Sequence, residues 1–432
     1  MTDKAPPELC SAADILERIL FQEAWLDPLL RAQRRRGISA SVRRRCEYYC
    51  RTVLEHERGL RVLLRGLLKR PDRRVQPRVE VLLLLGLARL LFTEAPAFAV
   101  VDETVSALPR RHYARGFVNA VLRRAAGQCD ALRERYGTLS PDLRWSVPAF
   151  WLAELERALG GSATVDAALA GLRRSPGTHI VVSDEVRREL LEKGVHLEPV
   201  AGGAAWRITG NPATFWSLMD DAEKAPTLQI QDGGIAAWLC TVQATAPGRR
   251  VWDAFCAPGG KLCSLARAGF DVLGTDRSEA RLRMVQNALR SAGCSAELGQ
   301  LDIDEALPDG SYDLVLADVP CSASGTLGRH PEVALRSDPD AVVRLQRQQC
   351  GWLARVAERV APGGVLWYST CSLFPGENED VVDAFLEQHP EFARLRVQHP
   401  LTSEETEVLR FWPHRDELAG FTAQALVRQN LP

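Results

Sequence analysis

The sequence lacks a hydrophobic run long enough to cross a membrane. Residues 79–92 form the longest apolar stretch, and a glutamate, a glycine and an arginine interrupt it, whereas a transmembrane helix needs about 20 mostly apolar residues. The opening segment MTDKAPPELC also lacks the apolar core of a secretory signal peptide. The sequence therefore predicts neither membrane insertion nor export, and we expect a cytoplasmic protein.

Cysteine pairs spaced for metal binding are also absent. The chain has 11 cysteines in 432 residues, and no two of them form a Cys-x-x-Cys pair. An odd number without that spacing predicts reduced thiols, and it argues against a disulfide framework or a zinc site. With 46% apolar and 25% charged residues, the composition excludes a disordered, collagenous or low-complexity chain.

The charge of the chain is balanced overall but unevenly distributed. Residues 1–150 carry 27 basic and 17 acidic side chains, whereas the remainder carries 27 and 38. Arginine runs at 34–36 and 43–45 lie in the basic part. Because clustered arginines neutralise successive phosphates, this part is predicted to bind nucleic acid. An ordinary solvated helical surface is the alternative explanation.

Hydrophobic spacing divides the chain into three predicted domains. Apolar residues recur at helical spacing over residues 8–136, which predicts a bundle of about six helices in a domain spanning 1–145. Residues 146–225 mix short β-branched runs with helices and predict a small α+β linker domain. Residues 226–432 alternate strands and helices, which predicts a doubly wound α/β fold on a parallel sheet. Ligands of such sheets bind beyond the carboxyl ends of the strands.

Ligand-binding features stand at the predicted ends of three successive strands. The strand at 250–254 runs into a Pro-Gly-Gly turn and a helix, which lets the backbone approach a ligand closely. Asp276 ends the next strand and can accept both ribose hydroxyls of a nucleoside, and Asp302 ends the third, where a carboxylate can accept from the amine of an adenine. The turn does not have the dinucleotide spacing. Together these features predict S-adenosylmethionine.

Two cysteines are predicted at the same edge. Asp318 and Cys321 follow one strand, and Cys371 follows another. A lone free cysteine is usually an inert core residue, but methylation of carbon 5 of cytosine needs a thiolate that adds to carbon 6 and converts the ring into an enamine. A carboxylic acid at the N3 and N4 edge of the ring, as Asp318 could provide, would stabilise the developing charge. Amine methylation needs no cysteine, so this pattern favours carbon methylation.

Five segments carry a family resemblance: GFVNAVLRR (116–124), DAFCAPGGK (253–261), ADVPCSASGTLGRHPE (317–332), LQRQQ (345–349) and YSTCSLFPGENE (368–379). The last four resemble the Nol/Nop/Sun family of RNA cytosine-C5 methyltransferases, in particular its bacterial Sun (RsmB, Fmu) group, which acts on small-subunit ribosomal RNA. The first is similar to the NusB-like RNA-binding bundle that precedes the catalytic domain in Sun proteins. The resemblance covers nearly the whole chain and implies a Rossmann-like methyltransferase core behind an all-α bundle.

The resemblance implies roles for individual residues. Cys371, in the TC turn, would be the nucleophile, and Cys321, in the PC turn, would assist release of the methylated RNA from its covalent adduct. The substrate would be a cytosine of 16S ribosomal RNA. S-adenosylmethionine would be held by Phe255, Cys256, Ala257, Pro258, Gly259, Gly260, Lys261, Asp276, Asp302 and Asp318.

The sequence departs from the family pattern at three places. Family members commonly read CAAPGGK where this chain has Phe255-Cys256-Ala257 before Pro258. Gly233-Gly234 replace a Ser/Ala-rich stretch, and residues 420–424 read GFTAQ in place of Gly-Phe-Phe-Tyr-Ala. We expect cofactor binding to survive, because backbone contacts dominate there, and the shape of the substrate site to differ.

Two other functions stay open at this point. One is a transfer-RNA cytosine-C5 methyltransferase, and the other is a non-catalytic RNA-binding factor of ribosome assembly; the intact cysteine pair argues against the second. The expected partner is RNA, with no DNA and no membrane. The target base must leave any stack, so single-stranded or loop RNA is the expected form. His330 is expected to be structural or RNA-facing, and Trp252, Trp367 and Trp412 are expected to lie in the core.

Overall fold

The computed structural model describes residues 5–72, 74–174, 176–220 and 228–430. The chain divides into two compact units, one comprising residues 1–156 and 329–337 and the other residues 157–328 and 338–432. The predicted domain limit at 145/146 stays a prediction, and the limit at 225/226 lies outside the described residues. No helix within the described part of the chain is long and apolar enough to cross a membrane.

The first unit is helical. Its central helix, Pro77–Phe92, is buried from Val79 to Leu91 except at Glu80, as expected of a helix surrounded by others. The sequence predicted about six helices over residues 8–136, whereas the described part of that region contains seven, because the short turn at Gly127-Gln128 ends one helix and starts the next. The helices are α1 (Pro7–Gln22), α2 (Leu26–Arg35), α3 (Ala40–Leu67), α4 (Pro77–Phe92), α5 (Ala97–Ser106), α6 (Arg115–Ala126), α7 (Cys129–Gly137), α8 (Pro141–Arg144) and α9 (Ala149–Leu159).

The second unit begins with a small antiparallel sheet in the order β2-β3-β1-β4. Its own core consists of Ile180, Leu190, Val195 and Phe215. The elements of this part are α10 (Val165–Arg173), β1 (His179–Val181), α11 (Asp184–Glu192), β2 (His196–Val200), β3 (Ala205–Thr209), α12 (Pro212–Asp220) and β4 (Gln229–Ile230).

A large sheet follows, with the strand order β10-β14-β9-β8-β5-β6-β7 and with β13 paired to β14. The strands are β5 (Arg250–Asp253), β6 (Asp271–Asp276), β7 (Glu297–Gln300), β8 (Tyr312–Asp318), β9 (Val360–Thr370), β10 (Phe392–Leu395), β13 (Leu409–Phe411) and β14 (Phe421–Arg428), with β11 (Val397–Gln398) and β12 (Glu405–Thr406) in a separate ribbon. The helices are α13 (Gly233–Thr245), α14 (Gly260–Arg267), α15 (Glu279–Ala292), α16 (Val333–Arg336), α17 (Pro339–Ala357), α18 (Glu379–Gln388) and α19 (Pro413–Asp416).

The centre of this sheet is parallel, as predicted, and one side is antiparallel. Strands β9, β8, β5, β6 and β7 run in one direction, while β14 runs against β9 and β10. From β5 the chain builds the sheet outward through β6 and β7, and then returns to place β8 on the other side of β5. The order of strands therefore reverses between β5 and β8, which is where open α/β sheets bind their ligands.

Side chains of the central strands alternate between two cores, one on each face of the sheet. Val251 packs on the face that carries α14 and α15, and its neighbour Trp252 packs on the face that carries α17 and α18. The same alternation recurs along β8 and β9, because successive side chains of a strand point to opposite faces. The three tryptophans expected in the core, Trp252, Trp367 and Trp412, are buried.

The sequence pattern of residues 340–360 predicts one long helix, but the helix in the structure is shorter. Helix α17 ends at Ala357, and Val360 is already the first residue of β9, where it pairs with Tyr312. The apolar residues near the end of this segment satisfy a helical pattern and a strand pattern equally. Pairing with β8 decides between the two, and no local signal in the sequence reports that pairing.

Residues 329–337 belong to the helical unit, although the chain on either side belongs to the sheet unit. The Glu332 carboxylate is fully buried and accepts from the backbone N–H of Leu26, at 3.0 Å. Arg336 lies 4.0 Å from the centroid of the Trp25 ring and donates to the Ala24 carbonyl oxygen. His330, expected to be structural or RNA-facing, lies in this segment. The loop that begins with Cys321 is thus continuous with a segment anchored in the helical unit.

We expect Glu332→Ala to loosen this anchor. The substitution leaves the Leu26 N–H buried without its acceptor, which costs about 1–3 kcal/mol of the free energy of unfolding. Trypsin should then cut after Arg329 or Arg336 faster than in the parent protein, which mass spectrometry of a digestion time course measures. Glu305→Ala, at an exposed glutamate of the sheet unit, is the matched control and should leave the digestion pattern unchanged.

Candidate active site

An ion pair occupies the point where the strand order reverses. Lys261, at the start of α14, places its Nζ 2.6 Å from Oδ2 of Asp318, the last residue of β8. The other oxygen of Asp318 accepts from the Ser369 hydroxyl at 2.9 Å. Burial acts to lower the pKa of Lys261, but the Asp318 charge and hydrogen bond outweigh it and raise that pKa. Lys261 and Asp318 therefore form a hydrogen-bonded ion pair at this edge of the sheet.

A second carboxyl group beside this pair has no partner. Asp253, the last residue of β5, is 1% exposed, and neither of its carboxyl oxygens has a hydrogen-bond partner in the described structure. Burial raises its pKa to about 7, against the lowering effect of Lys261. Asp253 is not among the site residues predicted from the sequence. Its position at a strand end in DAFCAPGGK was the available signal.

The loop predicted to hold the cofactor, residues 255–261, begins two residues after Asp253, at the carboxyl edge of the sheet. Gly259 has φ +105°, and a Cβ there would lie 3.1 Å from the Cα of Val285, so the turn requires glycine. The Cys256 N–H donates to the Thr275 carbonyl oxygen at 3.0 Å. Cys256 is buried, and burial raises the pKa of its thiol. Its side chain is therefore an inert packing group, and the loop offers mainly backbone to a ligand.

The remaining loop residues have different environments. The Phe255 ring packs against Trp352 with 5.5 Å between centroids. Ala257 is buried and accepts from a guanidinium through its carbonyl oxygen, whereas Pro258 is exposed. Gly260 begins α14, and its carbonyl oxygen accepts from an amide side chain of β4 at 2.6 Å.

Asp276 and Asp302 follow the next two strands, as predicted. Asp276 is buried, accepts from the Ser278 N–H at 2.9 Å and lies 3.2 Å from the Arg281 guanidinium. Asp302 is half-buried and accepts from the Asp304 N–H at 3.1 Å within its own turn. Asp253, Lys261 and Asp318 are brought into direct electrostatic contact, and Asp276 contributes to the raised pKa of Asp253. The hydrogen bonds of Asp302, in contrast, stay within its own turn.

The two predicted cysteines lie against each other. The Cys321 and Cys371 sulfur atoms are 3.1 Å apart, although the residues are 50 positions apart in the chain, and both are partly exposed. The hydrogen bond to Cys371, followed by burial, raises the pKa of Cys321 well above its ordinary value. Cys321 therefore keeps its proton. Negative charge on Cys371 is among the causes that raise the pKa of Lys261, so the ammonium and a Cys371 thiolate attract each other.

A buried carboxylate holds the PC turn. Glu377 is fully buried and accepts from the Ser322 N–H at 2.8 Å and from the Gln349 amide at 3.2 Å. The same amide donates to the Pro320 carbonyl oxygen at 2.9 Å. Sequence reasoning gave neither Glu377 nor Gln349 a role, although both lie inside segments that carry the family resemblance. Their hydrogen bonds fix the backbone that presents Cys321.

The TC turn is fixed by the loops on either side of it. The Gly325 N–H donates to the Cys371 carbonyl oxygen at 2.9 Å. Asn378 donates through its side-chain amide to the Ser372 carbonyl oxygen at 3.2 Å. A Cβ on Gly325 would lie 2.3 Å from the carbonyl oxygen of Gly420, so the PC loop and the start of β14 approach through glycine. Both cysteines thus project from rigid turns.

The departures at residues 420–424 and 233–234 have structural roles. Thr422 is buried, donates to the Ser372 carbonyl oxygen at 2.9 Å and accepts from Arg410 at 3.1 Å. The Thr422 hydroxyl therefore adds a hydrogen bond that holds the backbone of the TC turn. A Cβ on Gly233 would lie 2.6 Å from a methyl group of Val200, so glycine allows α13 to pack closely on the small sheet.

The residues at this edge fit S-adenosylmethionine. Asp253 is a buried carboxyl group without a partner, which suits the ammonium of the methionine part. Asp276 suits the ribose hydroxyls. The close backbone turn at Gly259, which leaves no room for a Cβ, suits a ligand held by main-chain groups.

Known proteins resemble both units. The profile of the 16S rRNA methyltransferase RsmB/F family matches residues 240–427, and that of the NusB family matches residues 10–127. Ribosomal RNA small subunit methyltransferase B of Pseudomonas syringae pv. tomato is 32% identical over 76% of this chain and 75% of its own length. Its namesake from Salmonella newport is 30% identical over 81% and 83%.

Solved structures show the same fold. PH0851 has a TM-score of 0.71 at 21% identity and covers 97% of this chain and 98% of its own. A methyltransferase homologue from Pyrococcus horikoshii has a TM-score of 0.51 at 23% identity and covers 65% and 100%. The sheet unit therefore has the Rossmann-like methyltransferase fold that the sequence predicted. With this fold and these relatives, the chain belongs to the RsmB/F family of 16S rRNA methyltransferases.

Proposed function

We propose that this protein methylates carbon 5 of a cytosine in 16S ribosomal RNA through a covalent adduct. The observation that carries the proposal is the 3.1 Å approach of the Cys321 and Cys371 sulfur atoms beside the Lys261–Asp318 pair. When bound, S-adenosylmethionine supplies an electrophilic methyl group. Methyl transfer to nitrogen or oxygen has no need of a thiol, whereas the weakly nucleophilic carbon 5 of cytosine does.

We propose Cys371 as the attacking thiol. The proton shared by the two sulfur atoms resides on Cys321, whose pKa is raised, and Lys261 supplies positive charge near Cys371. The Lys261 ammonium attracts the negative charge of a thiolate, which is the form of a cysteine that adds to carbon 6 of the ring. The addition forms the C6–S bond and makes carbon 5 nucleophilic enough to be methylated.

The Lys261–Asp318 pair is proposed to act at the N3 and N4 edge of the ring. The carboxyl oxygens of Asp318 are hydrogen-bond acceptors, so this side chain accepts from the exocyclic amine and thereby orients the base. The Lys261 ammonium stabilises the negative charge that develops on the ring as the sulfur adds.

Release of the product requires loss of the carbon-5 proton and cleavage of the C6–S bond. Cys321 lies 3.1 Å from the sulfur that must leave, and it loses its hydrogen-bond partner to the adduct. In the adduct, Cys371 no longer raises the pKa of Cys321 through its hydrogen bond and charge. We propose that Cys321 then gives its proton to solvent and that its thiolate accepts the carbon-5 proton. The electron pair of the C5–H bond re-forms the C5–C6 double bond, and the C6–S bond breaks to release Cys371 as a thiolate.

Asp318→Asn is expected to slow the first step. The amide keeps the size of the side chain but loses the ion pair with Lys261, so the ring is less well oriented and its charge less well stabilised. We expect kcat to fall about 10²–10³-fold and little adduct to accumulate, as measured by transfer of labelled methyl groups to RNA. Asp313→Asn, which changes an aspartate near the opposite end of β8, is the control and should retain activity.

The substrate assignment is tested by bisulfite sequencing of RNA with and without the gene. We expect one cytosine of 16S rRNA to lose its methyl group in the deletion, and transfer RNA to be unchanged. Loss of a transfer-RNA methyl group with intact 16S rRNA would reject the assignment. A ribosomal RNA substrate and the need for two reduced thiols support the expected cytoplasmic location.

A further inference from the structure

Glu377, the carboxylate that holds the PC turn, is buried among neutral donors. It ends the short turn Pro375–Glu377 and is fully buried. In the described structure it accepts from the N–H and the hydroxyl of Ser322 and from the side-chain amide of Gln349. Taking a carboxylate out of water costs free energy, and buried charges are usually paired with an opposite charge. A buried carboxylate held by neutral donors departs from this rule and calls for a functional explanation.

The hydrogen bonds of Glu377 hold the chain on both sides of Cys321. The contact with Ser322, at 2.8 Å from its backbone nitrogen, fixes the residue that follows Cys321. The residue that precedes it is fixed through Gln349, whose amide donates both to Glu377, at 3.2 Å, and to the Pro320 carbonyl oxygen, at 2.9 Å. The carboxylate is therefore part of the structure that presents the Cys321 thiol.

The negative charge of Glu377 also acts on that thiol. The hydrogen bond to Cys371, burial, the charge of Cys371 and then the charge of Glu377 raise the pKa of Cys321. Tyr368 faces this group from β9 and donates to the Glu377 carbonyl oxygen at 2.7 Å, and burial raises its pKa well above the ordinary value, so it stays neutral. Lys261 lies on the side of Cys371 and interacts with its charge. Once Cys371 is bound to RNA, burial and the Glu377 charge remain to act on Cys321.

We propose that Glu377 is a positioning residue that gives the two cysteines different roles: it fixes the PC turn, and its charge keeps Cys321 as a thiol while Cys371 attacks carbon 6. The proposal rests on the proposed methylation through Cys371 and adds the group that controls Cys321. A thiol that keeps its proton does not compete for carbon 6, because the thiolate is the nucleophile. In the adduct, the same charge makes the Cys321 thiolate a stronger base towards the carbon-5 proton.

Glu377→Gln removes the charge and can keep the hydrogen bonds. The amide oxygen can accept from the Ser322 N–H and from Gln349, and the amide nitrogen can donate to the Ser322 hydroxyl. Ser322→Ala makes the opposite change, because the charge remains and one hydrogen bond to it is lost. Glu387→Gln, at an exposed glutamate of α18, removes an equal charge outside the PC turn. Together the three variants separate the charge from the hydrogen bonding, and circular dichroism checks that each is folded.

The effect of the charge is measured on Cys321 without RNA or cofactor. Each change is made in the Cys371→Ser protein, so that Cys321 is the only thiol of the pair, and its alkylation by iodoacetamide is followed by peptide mass spectrometry between pH 7 and pH 10. We expect the curve of rate against pH to move about one pH unit lower in Glu377→Gln, because a like charge is removed. Ser322→Ala and Glu387→Gln should leave the curve in place. An unmoved curve in Glu377→Gln, or an equal shift in Glu387→Gln, would overturn the proposal.

The release step gives a second measurement, in the protein that retains Cys371. Adduct formed in a single turnover with 16S rRNA is quenched in denaturant at intervals, and its decay is followed as a function of pH. In Glu377→Gln the release rate should reach its plateau about one pH unit lower than in the parent. The plateau itself should be about threefold lower, because a weaker base accepts the proton less readily. A lower rate at every pH with an unmoved midpoint would mean that Glu377 only supports the turn, which contradicts the proposal.

The two measurements separate this proposal from the proposed function. If the Cys321 alkylation curve shifts as expected while the parent forms no adduct with 16S rRNA, Glu377 controls the thiol and the proposed methylation fails. If the adduct forms and resolves, but neither the alkylation curve nor the release midpoint moves in Glu377→Gln, the methylation stands and the proposal for Glu377 fails.

Discussion

Cys321→Ser is expected to convert the enzyme into a stable protein–RNA adduct. The substitution leaves Cys371 free to add to carbon 6, and methyl transfer can follow. A hydroxyl, whose pKa lies far above that of a thiol, cannot take over the proton transfer needed to eliminate the product. Protein should therefore accumulate as a band of reduced mobility with labelled 16S rRNA, and this band should survive denaturing electrophoresis.

Cys371→Ser should give the opposite result. A serine hydroxyl is not ionised near neutral pH, so no C6 adduct forms, and we expect methylation to fall at least 10⁴-fold with no shifted band. The double variant should also give no band, because the adduct depends on Cys371. Cys350→Ser, at a partly buried cysteine of α17, is the control and should methylate like the parent.

The contact between the two sulfur atoms is symmetric, so it does not show which cysteine attacks carbon 6 and which assists release. The two variants decide between these two assignments. An adduct with Cys371→Ser and full activity of Cys321→Ser would invert the proposed roles. Full activity of both variants would remove the cytosine-C5 proposal altogether and leave the cysteines as packing residues.

Strand ends were the part of the site that the sequence predicted well. Period-2 and helical patterns located β5, β6 and β8, and the polar residues that follow them meet at one edge because parallel strands end at the same side of a sheet. The strand ends placed the PC and TC turns at the same edge of the sheet, but they did not predict that the two turns touch. Their 50-residue separation carries no pattern that reports a 3.1 Å contact.

Partnerships between distant residues were the part that the sequence could not supply. Lys261 and Asp318 were each assigned to the cofactor, but nothing local in the sequence indicates that they form an ion pair with each other. The membership of residues 329–337 in the helical unit depends on contacts with residues about 300 positions earlier. Asp253 was overlooked because the sequence does not show that its carboxyl group is buried without a hydrogen-bond partner. Only the folded structure shows this.

Asp253→Asn is expected to weaken the binding of S-adenosylmethionine about 10–100-fold, because hydrogen bonds between charged groups contribute about 1.5–3 kcal/mol. The amide is neutral and cannot match the ammonium. Isothermal titration calorimetry at pH 8 measures the effect. Asp271→Asn, at an exposed aspartate at the far end of β6, is the matched control and should bind like the parent.

The same substitution should remove a pH dependence. The pKa of Asp253 is about 7 in the absence of ligand, and only the ionised carboxyl group attracts an ammonium. The affinity of the parent for S-adenosylmethionine should therefore rise about tenfold between pH 6 and pH 8, whereas that of Asp253→Asn should stay nearly constant. A parent affinity that is flat over this range would show that Asp253 is not the group that meets the ammonium.

Asp253→Asn should at the same time stabilise the ligand-free protein. The folded-state pKa of about 7 lies above the ordinary value of 3.8, so the folded state retains a proton that the unfolded state loses. Stability from this group is complete below pH 4 and is lost as the pH rises through 7. At pH 8 the parent buries an unpaired negative charge, and replacing it with an amide should raise the free energy of unfolding by about 1–3 kcal/mol. Urea denaturation at pH 8 without ligand measures this gain, which should shrink at pH 4. A gain in stability together with weaker binding would mean that Asp253 serves ligand binding at a cost to the stability of the fold. A loss of stability in Asp253→Asn would instead mean that this carboxyl group stabilises the fold.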